Sequence, residues 1–592
     1  MKKLTTTGLI IVFILAFASF KSLTVKALSG TGASDDPYVI STPADLIAMH
    51  DDVAAYYVLA NDIDMEAYMW VPIGDASDPF VGGLDGAGFS ILNFSSETIT
   101  VDYGFDELDT MAMFALVADS AEISNLGLEV KYVFDNEYNG NDINVGALVG
   151  YVESTDVLIE DIWVSGSITV DTVTSGSVYV GGIIAQAFNQ YNLSGLSFTG
   201  VIGVAIDEYN SGYFGGLVGY GQDLSILYSK VYDTTFNLNT TYGSEYNGYV
   251  GGLIGDLYLI QTYEDDSTLR RNIVDNIDVN TNYRNTVGGL VGTIHNDSGD
   301  FLFTIDENLV VDSNLGDGNY MTGGLVGYLN SIKLRQNQVE SVTMGSDNEN
   351  DDMGGLVAYA GDSILEDNRI IDLSITSGED SGAIGGVAGN IERSTIERTF
   401  VSGTLNSSSY DVGGIVGGAY ELDLAYSAFE GTITGLYNVG GLVGNSSEFL
   451  LQIYSCWVKG SVTGTDNSVG GLVGSTALQD LLIQDSYALA DVDGLSAVGG
   501  LVGTLYETNA VIQRSYFGGI VAGDSNVDAL FGLIMGPNPD TEYLYYDEAG
   551  GTSAYGLGVP VADLKDAGSV VGLGLEASDQ TIDYSRWQEW FV

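Results

Sequence analysis

The side chains able to do chemistry in this sequence are few in kind and lopsided in number. It holds two histidines, His50 and His295, one cysteine, Cys456, 18 basic residues and 80 carboxylates. Neither histidine lies in an HExxH arrangement. His50 runs into Asp51-Asp52-Val53-Ala54 and His295 into Asn296-Asp297, so the helical zinc-peptidase site is missing. A Ser/His/Asp triad would need one of these imidazoles, and no Gly-x-Ser-x-Gly elbow frames a serine. The glycine-rich runs lack the P-loop lysine and a following helix, so they are not phosphate cradles. Polysaccharide cleavage would need paired carboxylates, or carboxylate-held Ca2+ with a basic partner. With 80 acids, carboxylate pairs arise by chance, and the scarcer ingredient is the base. The clustered basic positions are Arg270, Arg271, Lys333, Arg335, Arg393 and Arg398, and each also reads as neutralising nearby acid. No catalytic residue is assigned from the sequence.

Two stretches point to binding. Eleven of the 37 tyrosines fall between Tyr209 and Tyr283. Tyr232, Tyr242, Tyr246 and Tyr249 are the candidate ligand contacts, because Tyr joins apolar area to a polar tip suited to glycan or protein. The repeat is longest here, and the extra residues around Thr234 to Tyr249 are expected to loop out of a core that keeps register. The competing reading is an ordinary tyrosine ladder covering a flank. The second stretch, Asp347 to Asp352, packs carboxylates and amides together. Asp347, Glu349, Asp351 and Asp352 are candidate Ca2+ ligands, although the EF-hand spacing is absent.

What must position these residues is a repeat. The word Val469-Gly470-Gly471-Leu472-Val473-Gly474 recurs, with first glycines at 146, 181, 215, 251, 288, 323, 354, 385, 413, 440, 470 and 499. A period of 27 to 37 residues belongs to solenoids and propeller arrays. A second word follows in each repeat, as in Ile483-Gln484-Asp485-Ser486-Tyr487 and Ile512-Gln513-Arg514-Ser515-Tyr516. Ile453-Tyr454-Ser455-Cys456-Trp457 is the same word with Cys in the Ser position, which reads as a buried structural thiol. A third β-prone piece, such as Gly460 to Gly464, closes the turn. Each repeat is therefore three short β-prone segments divided by Gly, Asn, Asp and Ser, and no sustained 3.6-residue periodicity competes. Stacked at about 4.8 Å per coil, thirteen or so coils make a rod about 60 Å long.

The Gly-Gly-Leu-Val-Gly word followed by Ser-Tyr resembles the GLUG motif of bacterial secreted and surface proteins. The N-terminal stretch agrees: Asp35 to Thr42, Tyr57 to Asp64, Trp70 to Gly74 and Phe80 to Phe89 are similar to the lead-in of that family. The resemblance covers about residues 28 to 550. It implies an all-β fold, a right-handed parallel β-helix with three strands per coil and caps at both ends, on an exported protein. It implies little about activity.

Composition bounds the rest. Residues 1–27 carry four lysines and no acid, with an apolar run from Gly8 to Phe20 and Val25-Lys26-Ala27 as a cleavage site, and read as a secretory signal. The apolar run is short for a membrane span. Beyond it, 14 basic residues remain against 80 acidic ones, a formal charge of −66. Such a chain is repelled by nucleic acid and by anionic membranes. The acidity serves solubility, or it reflects Ca2+ binding or high-salt adaptation. Residues 28–110 read as an N-terminal cap segment with a short helix at Pro43 to His50, 111–536 as the coils, and 537–592 as a C-terminal cap segment. The function expected is an exported, non-catalytic protein of the cell surface or extracellular space. Its partners would be glycans or host or cell-surface proteins, with no nucleic acid and no membrane span after signal cleavage. The alternatives are a β-helix polysaccharide lyase or glycoside hydrolase, and a structural envelope component. No cofactor is required; Ca2+ is the candidate.

Overall fold

The computed structural model describes residues 28–560 except 103–106, 137–140, 174–175, 190–192, 208–210, 241–246, 261–267, 282–283, 298–302, 317–319, 347–351, 379–380, 448, 478–479 and 507. The signal-like residues 1–27 and the tail tryptophans Trp587 and Trp590 lie outside the described residues.

Each strand pairs in parallel with the equivalent strand one repeat away, so Val439 faces Val469, which faces Val498, and so on along the rod. Fourteen such strands stack in one sheet, and the remaining runs of the coils form a second, continuous sheet of 44 strands. This is a parallel β-solenoid. The coil from Val439 shows the plan: Val439–Gly440, Val443–Ser447, Leu450–Tyr454 and Trp457–Gly464 follow one another around the core. The three β-prone segments of the sequence appear as four runs because the glycine word is cut by a corner at its second glycine and leucine. The leucine of the word is fully buried in coil after coil, at Leu217, Leu253, Leu290, Leu325, Leu442, Leu472 and Leu501. The following valine column is buried beside it.

The Ser position of the second word forms the expected polar stack. Each side chain accepts the backbone N–H of the equivalent residue one coil before: Ser229 from Leu196 at 3.1 Å, Asn272 from Ser229 at 2.9 Å, Asn308 from Asn272 at 3.0 Å and Ser515 from Ser486 at 3.2 Å. Cys456 belongs to this column. Its Sγ receives the Ser427 N–H at 3.5 Å, and burial pushes its thiol up to about 12. It is a structural thiol.

Two expectations about the coil need correction. The extra residues of the longest repeats do not begin to loop out at Thr234. Ser197–Asp207 and Lys230–Thr240 are fourth runs, Glu122–Asn136 and Leu158–Val173 join the third and fourth runs in one strand, and their fourth-run parts lengthen together and stay paired. Register survives because neighbouring coils extend at the same place, which preserves the ladder across the widened stretch. The predicted helix is also shorter. Pro43–Ile47 is α-helical, with Thr42 capping the Asp45 N–H at 3.2 Å, and Ala48–Asp51 tightens to a 3-10 turn.

The N-terminal segment is built into the ladder. Tyr38–Ile40, Tyr56–Leu59 and Gly83–Asp85 pair successively in parallel and run on into Glu122–Asn136. The fourteen-strand stack ends on an antiparallel partner, Ile99–Asp102 against Glu107–Met111. At the other end Asp540–Asp547 continues the stack, and Leu557–Val559 pairs with it. Val559 closes this last strand.

Candidate functional site: a tyrosine-lined corner

The glycine word makes the corner where the two sheets meet. A Cβ on Gly215 would stand 1.9 Å from the Val218 carbonyl oxygen, and one on Gly216 would stand 2.1 Å from Gly252 O. One on Gly219 would meet Ala185 O at 2.7 Å and Val180 N of the preceding coil at 2.9 Å. The word needs glycine for close backbone approach; none of these three has positive φ. Bringing the backbones this close makes two outward-facing columns converge: the residue two before the first glycine, and the residue five after it. They touch along the rod. Gln186 donates to Asn144 Oδ1 at 2.7 Å, Asn445 to Asp411 Oδ2 at 3.4 Å, and Ser468 Oγ lies 2.8 Å from Thr504 Oγ1.

In the middle coils both columns become aromatic. Tyr179 stacks on Tyr213 with ring centres 4.8 Å apart and planes 5° from parallel, and Tyr213 stacks on Tyr249 at 5.5 Å. Tyr220, from the facing column, stands edge-on to Tyr213 at 5.4 Å and to Tyr179 at 6.0 Å. Farther along, Tyr328 stacks on Tyr359 at 5.1 Å. Burial raises the phenol pKa values of Tyr179, Tyr213 and Tyr220 above the ordinary value.

Asp256 sits among these rings in the Tyr220 column and is 5% exposed. Burial pushes its carboxyl up to about 7. Its Oδ1 has no hydrogen-bond partner; the nearest cation-forming group, His295 Nε2, is 3.8 Å away, too far for a hydrogen bond. Burial also holds the His295 imidazole below its ordinary value. Thr293, paired with Asp256 across the coil step and 2% exposed, has an unpartnered Oγ1 as well. Two adjacent buried polar atoms without partners are uncommon in a folded protein and call for an explanation.

The residues singled out from the sequence are dispersed. Tyr249 belongs to the ladder at the corner. Tyr232 lies on a fourth run, where Lys230 Nζ stands 4.9 Å from its ring centre. Tyr242 and Tyr246 lie outside the described residues, as do Asp347, Glu349 and Asp351. Asp352 is described: its carboxylate accepts the Ala383 N–H at 2.9 Å and an Asn390 hydrogen bond across the same corner, and burial raises its pKa. Among the described residues, no group of three or more His, Cys, Asp or Glu is placed to hold a metal.

The basic positions that a lyase would draw on are engaged in ion pairs from coil to coil. Arg335 meets Asp306 at 3.0 Å, Lys333 meets Glu366 at 2.6 Å, Arg393 meets Asp362 at 2.7 Å and Arg398 meets Asp367 at 2.6 Å. Arg270 and Arg271 both pair with Glu307. His50, at the N-terminal end, places its ring nitrogens 2.9 Å from Ile47 O and 2.8 Å from Val71 O and packs on Trp70, a structural arrangement.

Sequence reasoning missed Asp256, Thr293 and His295. The signal was present: aligning the glycine words and reading the two flanking columns lines up Tyr179, Tyr213 and Tyr249 against Tyr220, Asp256 and Thr293. Only the corner shows that those columns meet.

No family model matches this chain. A protein described as a Gly-rich membrane protein, from Evansella cellulosilytica, is 30% identical over 133 residues, which is 20% of this chain and 14% of the relative. Halomucin of Haloquadratum walsbyi is 28% identical over 171 residues, 26% of this chain and 2% of that protein. The chain thus spans a small fraction of the length of the curated relatives it matches. A crystal structure assigned as an immunoglobulin A1 protease, from Bacteroides ovatus, matches 61% of this chain and 86% of its own at 14% identity and a TM-score of 0.28. That score is too low to support an argument, and the fold stands on the strand pairing itself.

Proposed function

We propose that this chain is an exported, non-catalytic β-helix protein of the GLUG-motif kind, acting at the cell surface or in the extracellular space, and that it binds glycan along the tyrosine-lined corner. The observation that carries the reading is the ladder Tyr179–Tyr213–Tyr249 facing Tyr220 in a re-entrant corner. Stacked on one another, the half-buried rings present their edges and phenol hydroxyls in a line, apolar area with polar tips that suits an extended sugar chain. Two observations support export without a membrane span. The N-terminal residues read as a secretory signal, and no described helix is long and apolar enough to cross a membrane. One curated relative bears the description of a membrane protein, which supports an envelope location.

The test is affinity electrophoresis and calorimetry against a polysaccharide panel, with Tyr213→Ala and Tyr220→Ala as variants. The expected result is retention by at least one glycan, weakened about tenfold by either variant, equivalent to about 1.4 kcal/mol. Release of reducing or unsaturated ends from any panel member would sink the non-catalytic half. Binding that ignores both tyrosines would sink the corner.

A further inference from the structure

We propose that Asp256 and Thr293, walled by Tyr213, Tyr220 and Tyr258, form a subsite for a primary ammonium carried by the bound glycan, that is, for an unacetylated amino sugar. The inference rests on the glycan reading and names its ligand class.

The chemistry of the corner selects the ligand. Asp256 Oδ1 and Thr293 Oγ1 are buried, adjacent across one coil step, and lack hydrogen-bond partners. The Asp256 carboxyl receives one backbone hydrogen bond, from Leu257, but its buried Oδ1 has none, and that oxygen carries a desolvation cost that a hydrogen-bonded cation would offset. The ion pairs of this protein put Arg or Lys against acids elsewhere on the rod, whereas Asp256 is faced by tyrosines and by His295 at 3.8 Å. A primary ammonium is compact and has three donors and no acceptor. It can fill both orphan oxygens and still lie against an aromatic ring, where the negative face of the ring attracts it. A neutral sugar hydroxyl fits less well, because it brings no charge to an acid surrounded by rings. The formal charge of −62 supplies long-range attraction for a cationic chain, and the corner supplies the site. The raised carboxyl pKa agrees: Asp256 lacks the cation that would bring it down.

The experiment measures binding of three hexasaccharides of one linkage at pH 7 and 0.15 M NaCl: fully deacetylated chito-oligosaccharide, its N-acetylated form, and cello-oligosaccharide. Hexalysine is the fourth probe. The proteins are wild type, Asp256→Asn and Thr293→Val, each checked for a wild-type circular dichroism spectrum and a cooperative melt. The deacetylated hexamer should bind at least tenfold more tightly than the other two sugars. Asp256→Asn should abolish that preference, and Thr293→Val should reduce it by several-fold. Equal affinity for the three sugars overturns the subsite while leaving glycan binding intact. No binding of any sugar overturns both. Hexalysine binding as tightly as the deacetylated sugar, with the same loss in Asp256→Asn, overturns the amino-sugar assignment in favour of a peptide cation. A preference that survives Asp256→Asn is general attraction to an acidic rod and overturns the site. Should a variant fail to fold, the comparison of deacetylated with acetylated sugar on wild type still decides the preference.

Discussion

Cys456 and Asp256 are both buried beside the ladder of backbone bonds, and they should behave in opposite ways. The thiol takes over the task of a serine: it accepts a backbone N–H from one coil, while its own N–H goes to Ser486 Oγ at 3.1 Å. Cys456→Ser should therefore change stability by less than about 1 kcal/mol, whereas Ser486→Val leaves a buried N–H without an acceptor and should cost about 1–3 kcal/mol. Urea unfolding of the two variants checks this, and the native thiol should resist alkylation until the protein unfolds. Asp256 accepts a backbone hydrogen bond from Leu257 but leaves its buried Oδ1 without a partner. Its pKa of about 7, with that of Asp411 at about 6, lies above the exposed-carboxylate value of 3.8. The folded state thus holds these protons more tightly than the unfolded chain. The stability they contribute is full below about pH 4 and lost as pH rises through 6 to 7. Asp256→Asn should match wild type near pH 4 and melt higher than wild type at pH 8. Equal melting temperatures at pH 8 would place the carboxyl in solvent. A Cβ on Gly471 would stand 2.1 Å from Gly500 O, so Gly471→Ala should cost more than about 2 kcal/mol in the same denaturant series.

The element of this fold is the coil, and coils are interchangeable only as wholes. Val439 to Ser468 is one complete step, because Val439 pairs with Val469. Deleting it lets the flanking coils meet in register, while deleting half of it misaligns all the strands beyond. The whole-coil deletion should keep a cooperative transition close to the wild-type urea midpoint, and the half-coil deletion should lower the midpoint markedly. Similar midpoints would refute the stacked-coil account. The same logic explains the long fourth runs. A single run cannot lengthen alone, but the fourth-run part of Leu158–Val173, Ser197–Asp207 and Lys230–Thr240 lengthen as a group, and each addition finds a partner.

For the whole molecule, charge is the dominant stress. With 80 acids against 18 bases, cross-coil pairs such as Arg514–Asp485 at 2.7 Å neutralise only part of the surface. Like charges on paired strands repel, and salt screens the exposed part over about 8 Å at physiological ionic strength. The melting temperature should rise with NaCl. If the Asp347–Asp352 stretch holds Ca2+, millimolar Ca2+ should add a further increment at matched ionic strength, removed by Asp351→Asn with Asp352→Asn. An increment no greater than that of NaCl leaves solubility as the reason for the charge.

Much of the architecture was legible from spacing alone. A glycine word every 27 to 37 residues, apolar columns at fixed offsets and a Ser position that tolerates Cys456 are periodic facts, and a stack of parallel coils is their direct consequence. The buried thiol, the inward leucines and the continuous ladder followed. The corner did not follow, because it joins columns from different runs and different coils. Tyr213 meets Tyr220 across seven residues of sequence only because the glycines between them let two backbones nearly touch. Asp256 looked like one acid among 80, and its burial among rings drawn from several coils is what sets it apart. Local pattern determines which face of a strand a residue occupies; which faces converge, and so where a lone carboxyl loses its water, is decided by how the chain turns in three dimensions.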